Sequence, residues 1–242
     1  KLTTNKTAVG RQKITKKVTL NGATTTTTEV DGTYSFEILD KNGAVAGTAT
    51  VTITNGVSNE ATVKNLKVGT YTVNEVTTSN PLGVSLVGAN GVSVEVTEND
   101  TAGVPTAEFT NNKEVGSLKV KKNVLVNGEA TTSTLADGTY TFSITGTKGQ
   151  TVSDVTVTIT NGASNEVQVD NLIPDDYTVK EDVSKNPAGM TLSGSGEQTV
   201  TVTANNTTSI PTAEFTNDKT AVGSLKITKK VTLNGATTTT TE

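Results

Sequence analysis

The chain has 242 residues, a formal net charge of −4, and no Cys, His or Trp. The absence of Cys rules out disulfides, and with His also missing most metal, nucleophile and general-base chemistry goes too. A conventional enzyme, a cofactor and a metal site are therefore not expected. The acidic balance argues against nucleic acid as a partner, and no apolar stretch reaches the length of a membrane span.

The predicted elements are all short strands. QKITKKVTL at 12–20 has period two: Ile14, Val18 and Leu20 share one face, and Lys13, Thr15, Lys17 and Thr19 the other. Lys16 falls on the apolar face. GTYSFEI (32–38), ATVTITN (49–55), EATVKNL (60–66), GTYTVNEV (69–76), VSVEVT (92–97) and TAEFTN (106–111) alternate in the same way. Threonine, roughly a fifth of the chain, and abundant Val favour strands. Asn-Gly at 21–22, 42–43, 55–56, 127–128, 161–162 and 234–235 marks hairpin turns, because both residues tolerate positive φ. No long segment has helical period. Seven or eight strands in about 100 residues fit an immunoglobulin-like sandwich.

The pattern then repeats. DGTYSFEI at 31–38 returns as DGTYTFSI at 137–144, VTITNGVSNE at 51–60 as VTITNGASNE at 157–166, and TAEFTN at 106–111 as TAEFTN at 212–217. Each offset is 106 residues, and the aromatic pairs Tyr34/Tyr140, Phe36/Phe142, Tyr71/Tyr177 and Phe109/Phe215 keep it. KTAVGSLKITKKVTLNGATTTTTE at 219–242 nearly repeats residues 6–29. The expected organisation is the tail of a preceding repeat at 1–10, repeat 1 at 11–114, repeat 2 at 115–219, and a linker plus the first strand of a third repeat at 220–242, as in a piece of a longer array. The connection NNKEVGSL at 111–118 is short, so neighbouring repeats should sit nearly end to end.

Three strands carry one polar residue on an otherwise apolar face: Lys16, then Glu75 beside Tyr71 and Val73, then Asn111 beside Ala107 and Phe109. Repeat 2 has Lys122, Glu181 and Asn217 with the same separations, 59 from Lys to Glu and 36 from Glu to Asn. Side chains snorkelling to solvent from strand ends would account for them, as would a buried Lys–Glu pair with an Asn alongside. If first and last strands lie side by side, Lys and Asn meet.

LKITKK, YTVNE and EFTN resemble the first-strand, YTVxE and FTN motifs of Cna B-type domains, immunoglobulin-like modules of Gram-positive surface adhesins and pilins. The resemblance spans both full repeats. It implies a spontaneous intramolecular isopeptide bond from Lys16 to Asn111 and from Lys122 to Asn217, promoted by Glu75 and Glu181. In repeat 2, Lys121 stands where repeat 1 has Thr15, so the motif alone leaves Lys121 and Lys122 in competition, and alternation favours Lys122. Burial would favour a neutral lysine and a protonated carboxyl, which could hydrogen-bond the Asn carbonyl and then shuttle protons as ammonia leaves. Lys229 has the reactive position of a third copy without its Glu and Asn. At the start, Thr4 aligns with Asn217, and Asn5 is one position out of register.

The implied function is a structural stalk or pilus shaft on a bacterial cell surface, cell-wall anchored in the full-length protein, whose partners are neighbouring repeats. Two alternatives remain: a module binding a glycan or host protein, and a fibre subunit that self-associates through the terminal orphan strand. The Thr runs at 24–28 and 237–241 read as solvated loops, with O-glycosylation or a flat Thr array as the sharper reading. Asp175-Asp176 and Glu98-Asn99-Asp100 lack a calcium-loop ligand pattern and read as solvated turns.

Overall fold

A computed structural model describes residues 7–237, with Thr4 and Asn5 outside the described residues. Ten strands form the first unit. They are β1 Val9–Leu20, β2 Ala23–Thr24, β3 Gly32–Leu39, β4 Val45–Thr54, β5 Val57–Ser58, β6 Ala61–Lys67, β7 Gly69–Glu75, β8 Val84–Val87, β9 Val92–Val96 and β10 Thr106–Lys113. The second unit holds β11 Gly116–Val126, β12 Glu129–Ala130, β13 Gly138–Gly146, β14 Thr151–Ile159, β15 Asn165–Leu172, β16 Asp175–Glu181, β17 Met190–Ser193, β18 Glu197–Val202 and β19 Thr212–Lys219. The all-β sandwich expected from the alternation is what forms. No helix among the described residues is long and apolar enough to cross a membrane.

In each unit the first strand is the spine of one sheet. β10 runs parallel beside β1, β8 lies outside β10, and β2 and β6 take the two ends of β1's other edge. The facing sheet is antiparallel, in the order β5-β4-β3-β7-β9. The second unit repeats this plan around β11 and β19, with β14-β13-β16-β18 opposite. A lone Thr160–Ala163 bridge stands where repeat 1 has β5.

Period-two alternation lays one apolar face of each sheet against the other. Ile14, Val18, Ala107 and Phe109 of one sheet meet Tyr34, Phe36, Ile38, Val51, Tyr71 and Val73 of the other. Phe36 and Phe109 pack tilted at 5.0 Å between centroids, and Phe142 and Phe215 at 5.1 Å. All eight aromatics are buried. Each tyrosine hydroxyl donates to the carbonyl four residues upstream, at Val30, Lys67, Ala136 and Ile173, so no phenol is buried without a partner.

Five of the six Asn-Gly pairs adopt positive φ at both residues, as the hairpin reading requires. Asn42-Gly43 does not. There Asp40 takes over, its carboxylate accepting from the N–H groups of Asn42 and Ala44 at 2.9 Å.

Three expectations need correction. The connection between units is shorter than NNKEVGSL: β10 runs to Lys113 and β11 begins at Gly116, leaving Glu114 and Val115 between them. Asn21 Oδ1 accepts from the Val115 N–H at 2.8 Å and ties that connection to the first hairpin. At the other end of β1, Val9 and Gly10 belong to the strand through pairing with Lys67 and Leu66, and so are not a tail. LKITKKVTL at 225–233 is extended as a strand only at Thr232–Leu233, which pair with Ala236–Thr237. Residues 225–231 keep the alternation of β1 but have no neighbouring strand, and a strand without a partner leaves its backbone groups to water.

Candidate functional site

The parallel pairing of β1 with β10 sets Lys16 opposite Phe109 and Val18 opposite Asn111, so Lys16 and Asn111 are two residues apart on one face. β7 lies in the opposite sheet, where its alternation points Tyr71, Val73 and Glu75 inward. The three polar interruptions therefore converge in the middle of the sandwich. Lys16, Glu75 and Asn111 are 4%, 2% and 0% exposed, and Lys122, Glu181 and Asn217 are 0%, 3% and 0% exposed. Neither lysine snorkels to solvent.

In repeat 2 Lys122 Nζ donates to Glu181 Oε2 and to Asn217 Oδ1, both at 2.6 Å, while Asn217 Nδ2 donates to Glu181 Oε1 at 2.8 Å. Repeat 1 has the same three bonds: Lys16 to Glu75, Lys16 to Asn111, and Asn111 Nδ2 to Glu75 Oε1 at 2.5 Å. The carboxylate bridges the amine through one oxygen and the amide nitrogen through the other. This differs from the expected contact: the carboxyl faces the amide nitrogen, and the amine holds the amide oxygen.

The walls of the site are aromatic. Lys16 Nζ lies 5.0 Å from the Tyr34 ring centroid and 5.8 Å from those of Phe36 and Phe109; Lys122 Nζ lies 4.8 Å from Tyr140 and 5.8 Å from Phe142. Burial among these rings pushes both lysines below their usual pKa, against the pull of the neighbouring glutamate. The same burial pushes Tyr34 and Tyr140 up to about 12.

Lys121 is not in the site. Its amine pairs with Glu214 at 2.9 Å on the exposed face, whereas Lys122 is the one in contact with Glu181 and Asn217. Lys229 is exposed. Asp100 accepts from the Arg11 backbone N–H and guanidinium, pinning its turn to β1, and Asp175, buried at the start of β16 rather than in a solvated turn, accepts from Thr147 and Lys148 in the β13–β14 connection. Among the described residues there is no group of three or more His, Cys, Asp or Glu able to hold a metal ion.

Sequence reasoning missed a fourth member of each site. Asn80 Nδ2 donates to Glu75 Oε1, and Asn186 Nδ2 to Glu181 Oε1, each at 2.7 Å. The available signal was an Asn-Pro pair at 80–81 and 186–187, held at the repeat offset while the residues on either side change.

Residues 118–220 match the model of a domain of unknown function, DUF5979. No curated protein matches the chain. Among solved structures, the chain is similar to the major pilin of Streptococcus pyogenes at 18% identity, over 88% of this chain and 99% of that one, with a TM-score of 0.44. It is similar to the minor pilin of Streptococcus agalactiae at 13% identity, over 90% and 100%, with a TM-score of 0.42. A variant of the shaft pilin of Lactobacillus rhamnosus GG is 10% identical over 89% and 100%, with a TM-score of 0.46.

Proposed function

We propose that the chain is a structural shaft or stalk segment of a bacterial surface protein, each repeat locked by a Lys–Asn isopeptide bond that it makes itself. The observation that carries this reading is the buried Lys–Glu–Asn triad, present twice with one geometry. A buried ion pair in a sandwich this small is a poor stabiliser, because desolvation offsets most of its attraction. Those groups are, however, arranged as a nucleophile, a proton carrier and a leaving group.

In the reaction the lysine passes a proton to the glutamate oxygen that faces it. The neutral amine attacks Cγ of the asparagine, already in contact through Oδ1. The Nζ–Cγ bond forms and the Cγ–Nδ2 bond breaks. Rotation of the protonated carboxyl turns that proton toward Nδ2, which receives it while the other carboxyl oxygen takes the second proton from Nζ; ammonia leaves and the carboxyl is left protonated. Apolar walls favour the neutral amine, and fixed contact supplies a large effective concentration. The reaction turns over once, so the repeat is its own substrate and is not an enzyme.

The placement suits load bearing. Tension along an array enters a repeat at β1 and leaves at β10, and for parallel neighbours this is shear along their common ladder. A Lys16–Asn111 bond carries that load past residues 17–110. By analogy with a disulfide closing a loop of this size, it also stabilises the fold by about 4–5 kcal/mol. Burial of every aromatic disfavours the rival reading as a glycan- or protein-binding module, which ordinarily presents aromatic anchors.

The test is the intact mass of the denatured protein. Loss of two ammonia molecules, one per repeat, is expected; a mass equal to the sequence mass refutes the bond.

A further inference from the structure

Asn80 and Asn186 sit just beyond the strands that carry the bridging carboxyls. Each ends a single 3-10 turn, Thr77–Ser79 or Val183–Lys185, with backbone φ/ψ of −65°/150° and −65°/151°. The backbone N–H of each closes that turn, Asn80 onto Thr77 and Asn186 onto Val183, at 3.3 Å. A proline follows each and packs on a glycine: a Cβ at Gly32 would meet Pro81 Cγ at 2.4 Å, and one at Gly138 would meet Pro187 Cγ at 2.5 Å. The asparagine is thus held on both sides, with its amide nitrogen against the carboxyl. Its Oδ1 is buried and has no hydrogen-bond partner in either repeat.

An unpaired buried acceptor costs about 1–3 kcal/mol, so stability alone would not select this amide. We propose that Asn80 and Asn186 are positioning residues for the cross-linking reaction, each orienting the proton-carrying carboxyl toward the leaving nitrogen. The inference rests on the isopeptide reading above.

A carboxylate oxygen has two acceptor sites. On Glu75 Oε1 the Asn80 N–H occupies one and the Asn111 N–H the other. Once the lysine proton is on the carboxyl, the site still held by Asn80 leaves the remaining one aimed at Asn111 Nδ2, where the proton must go.

The experiment uses the full chain, made in a short cell-free pulse and transferred to buffers from acidic to alkaline pH, with ammonia loss followed by denaturing intact mass and assigned to each repeat by proteolysis. In Asn80→Ala, bond formation in repeat 1 is expected to slow by about tenfold to a hundredfold, the equivalent of one hydrogen bond to a charged group, while repeat 2 keeps its rate. The acid side of the repeat 1 rate curve should also move to higher pH, because losing an N–H donor disfavours the charged carboxylate. Simple destabilisation would instead lower the rate without moving the curve. Asn80→Ser, which keeps a small donor, should recover part of the rate and most of the pH profile; it decides the matter if the alanine variant does not fold. Asn186→Ala should give the mirror result. Wild-type rates and an unmoved profile in both Asn80 variants overturn the positioning role. A wild-type chain that loses no ammonia overturns the bond itself, a distinct outcome.

Discussion

The two repeats hold the same triad to within a few tenths of an ångström but surround it differently. Repeat 1 buries Gln12 completely with neither end of its amide paired, where repeat 2 has Leu118 in the core. Repeat 1 secures the Glu75 backbone with the Asn90 side chain, through bonds of 2.8 and 2.9 Å, whereas the Glu181 N–H donates to the Gly196 carbonyl. In repeat 2 the Tyr177 hydroxyl gains a second contact, with Gln150, that Tyr71 lacks. Packing and support vary, then, while the amine, carboxyl and two amides do not. That is the pattern of a site constrained by geometry within a core constrained mainly by volume.

The strongest way to break the symmetry is Glu75→Ala. It should abolish ammonia loss in repeat 1 alone and lower the stability of that repeat by about 4–5 kcal/mol, read as separate mass and denaturant transitions for the two halves. Replacing Gln12 with Leu should sharpen the comparison in the other direction. Relief of an unpaired buried amide is expected to raise repeat 1 stability by about 1–3 kcal/mol, measured in the Glu75→Ala background so that the proposed cross-link does not mask it.

A third variant, Asn111→Ala, leaves Lys16 as a buried free amine. Burial holds its folded pKa below the usual 10.5, so between the two values the unfolded chain binds more protons than the folded one. Stability of repeat 1 should therefore rise with pH toward 10.5 and fall to a constant level once pH drops below the folded value. Urea midpoints measured between neutrality and pH 10 test this, below the range where Tyr34, pushed up to about 12, would oppose it. A flat profile would contradict it. The smallest effect is on the other face of the same strand. Lys13 pairs with Glu60 at 2.9 Å with both side chains 40% or more exposed, so Lys13→Ala should change stability by less than about 1 kcal/mol.

What the sequence revealed follows from the reach of period two. Lys16, Glu75 and Asn111 were visible because each interrupts an alternating face, and an interruption needs no knowledge of the partner strand. The same argument places Lys122 on the inward face and Lys121 on the outward one, as their burial and exposure show. Asn80 and Asn186 were not visible, because they lie in a 3-10 turn where alternation says nothing about direction. β8 escaped notice because Val84–Val87 is four residues between glycines, with only Val84 and Leu86 half-buried. The segment 225–231 failed in the opposite sense: its pattern is that of β1, but pattern only permits a strand, and a neighbouring strand is what makes one.

The parallel ladder of β1 and β10 has a consequence for synthesis. The opening strand of a repeat emerges from the ribosome about 90 residues before the strand that completes its sheet, so each repeat is a high-contact-order fold that cannot close until nearly all of it exists. During that wait β1 shows an unsheltered edge while near-identical strands from neighbouring copies arrive, the circumstance in which tandem proteins mispair. A bond that forms only when Lys16, Glu75 and Asn111 coincide would act as a checkpoint on this traffic. Mispaired strands could still separate and try again, whereas the correct partnership, once reached, would become permanent.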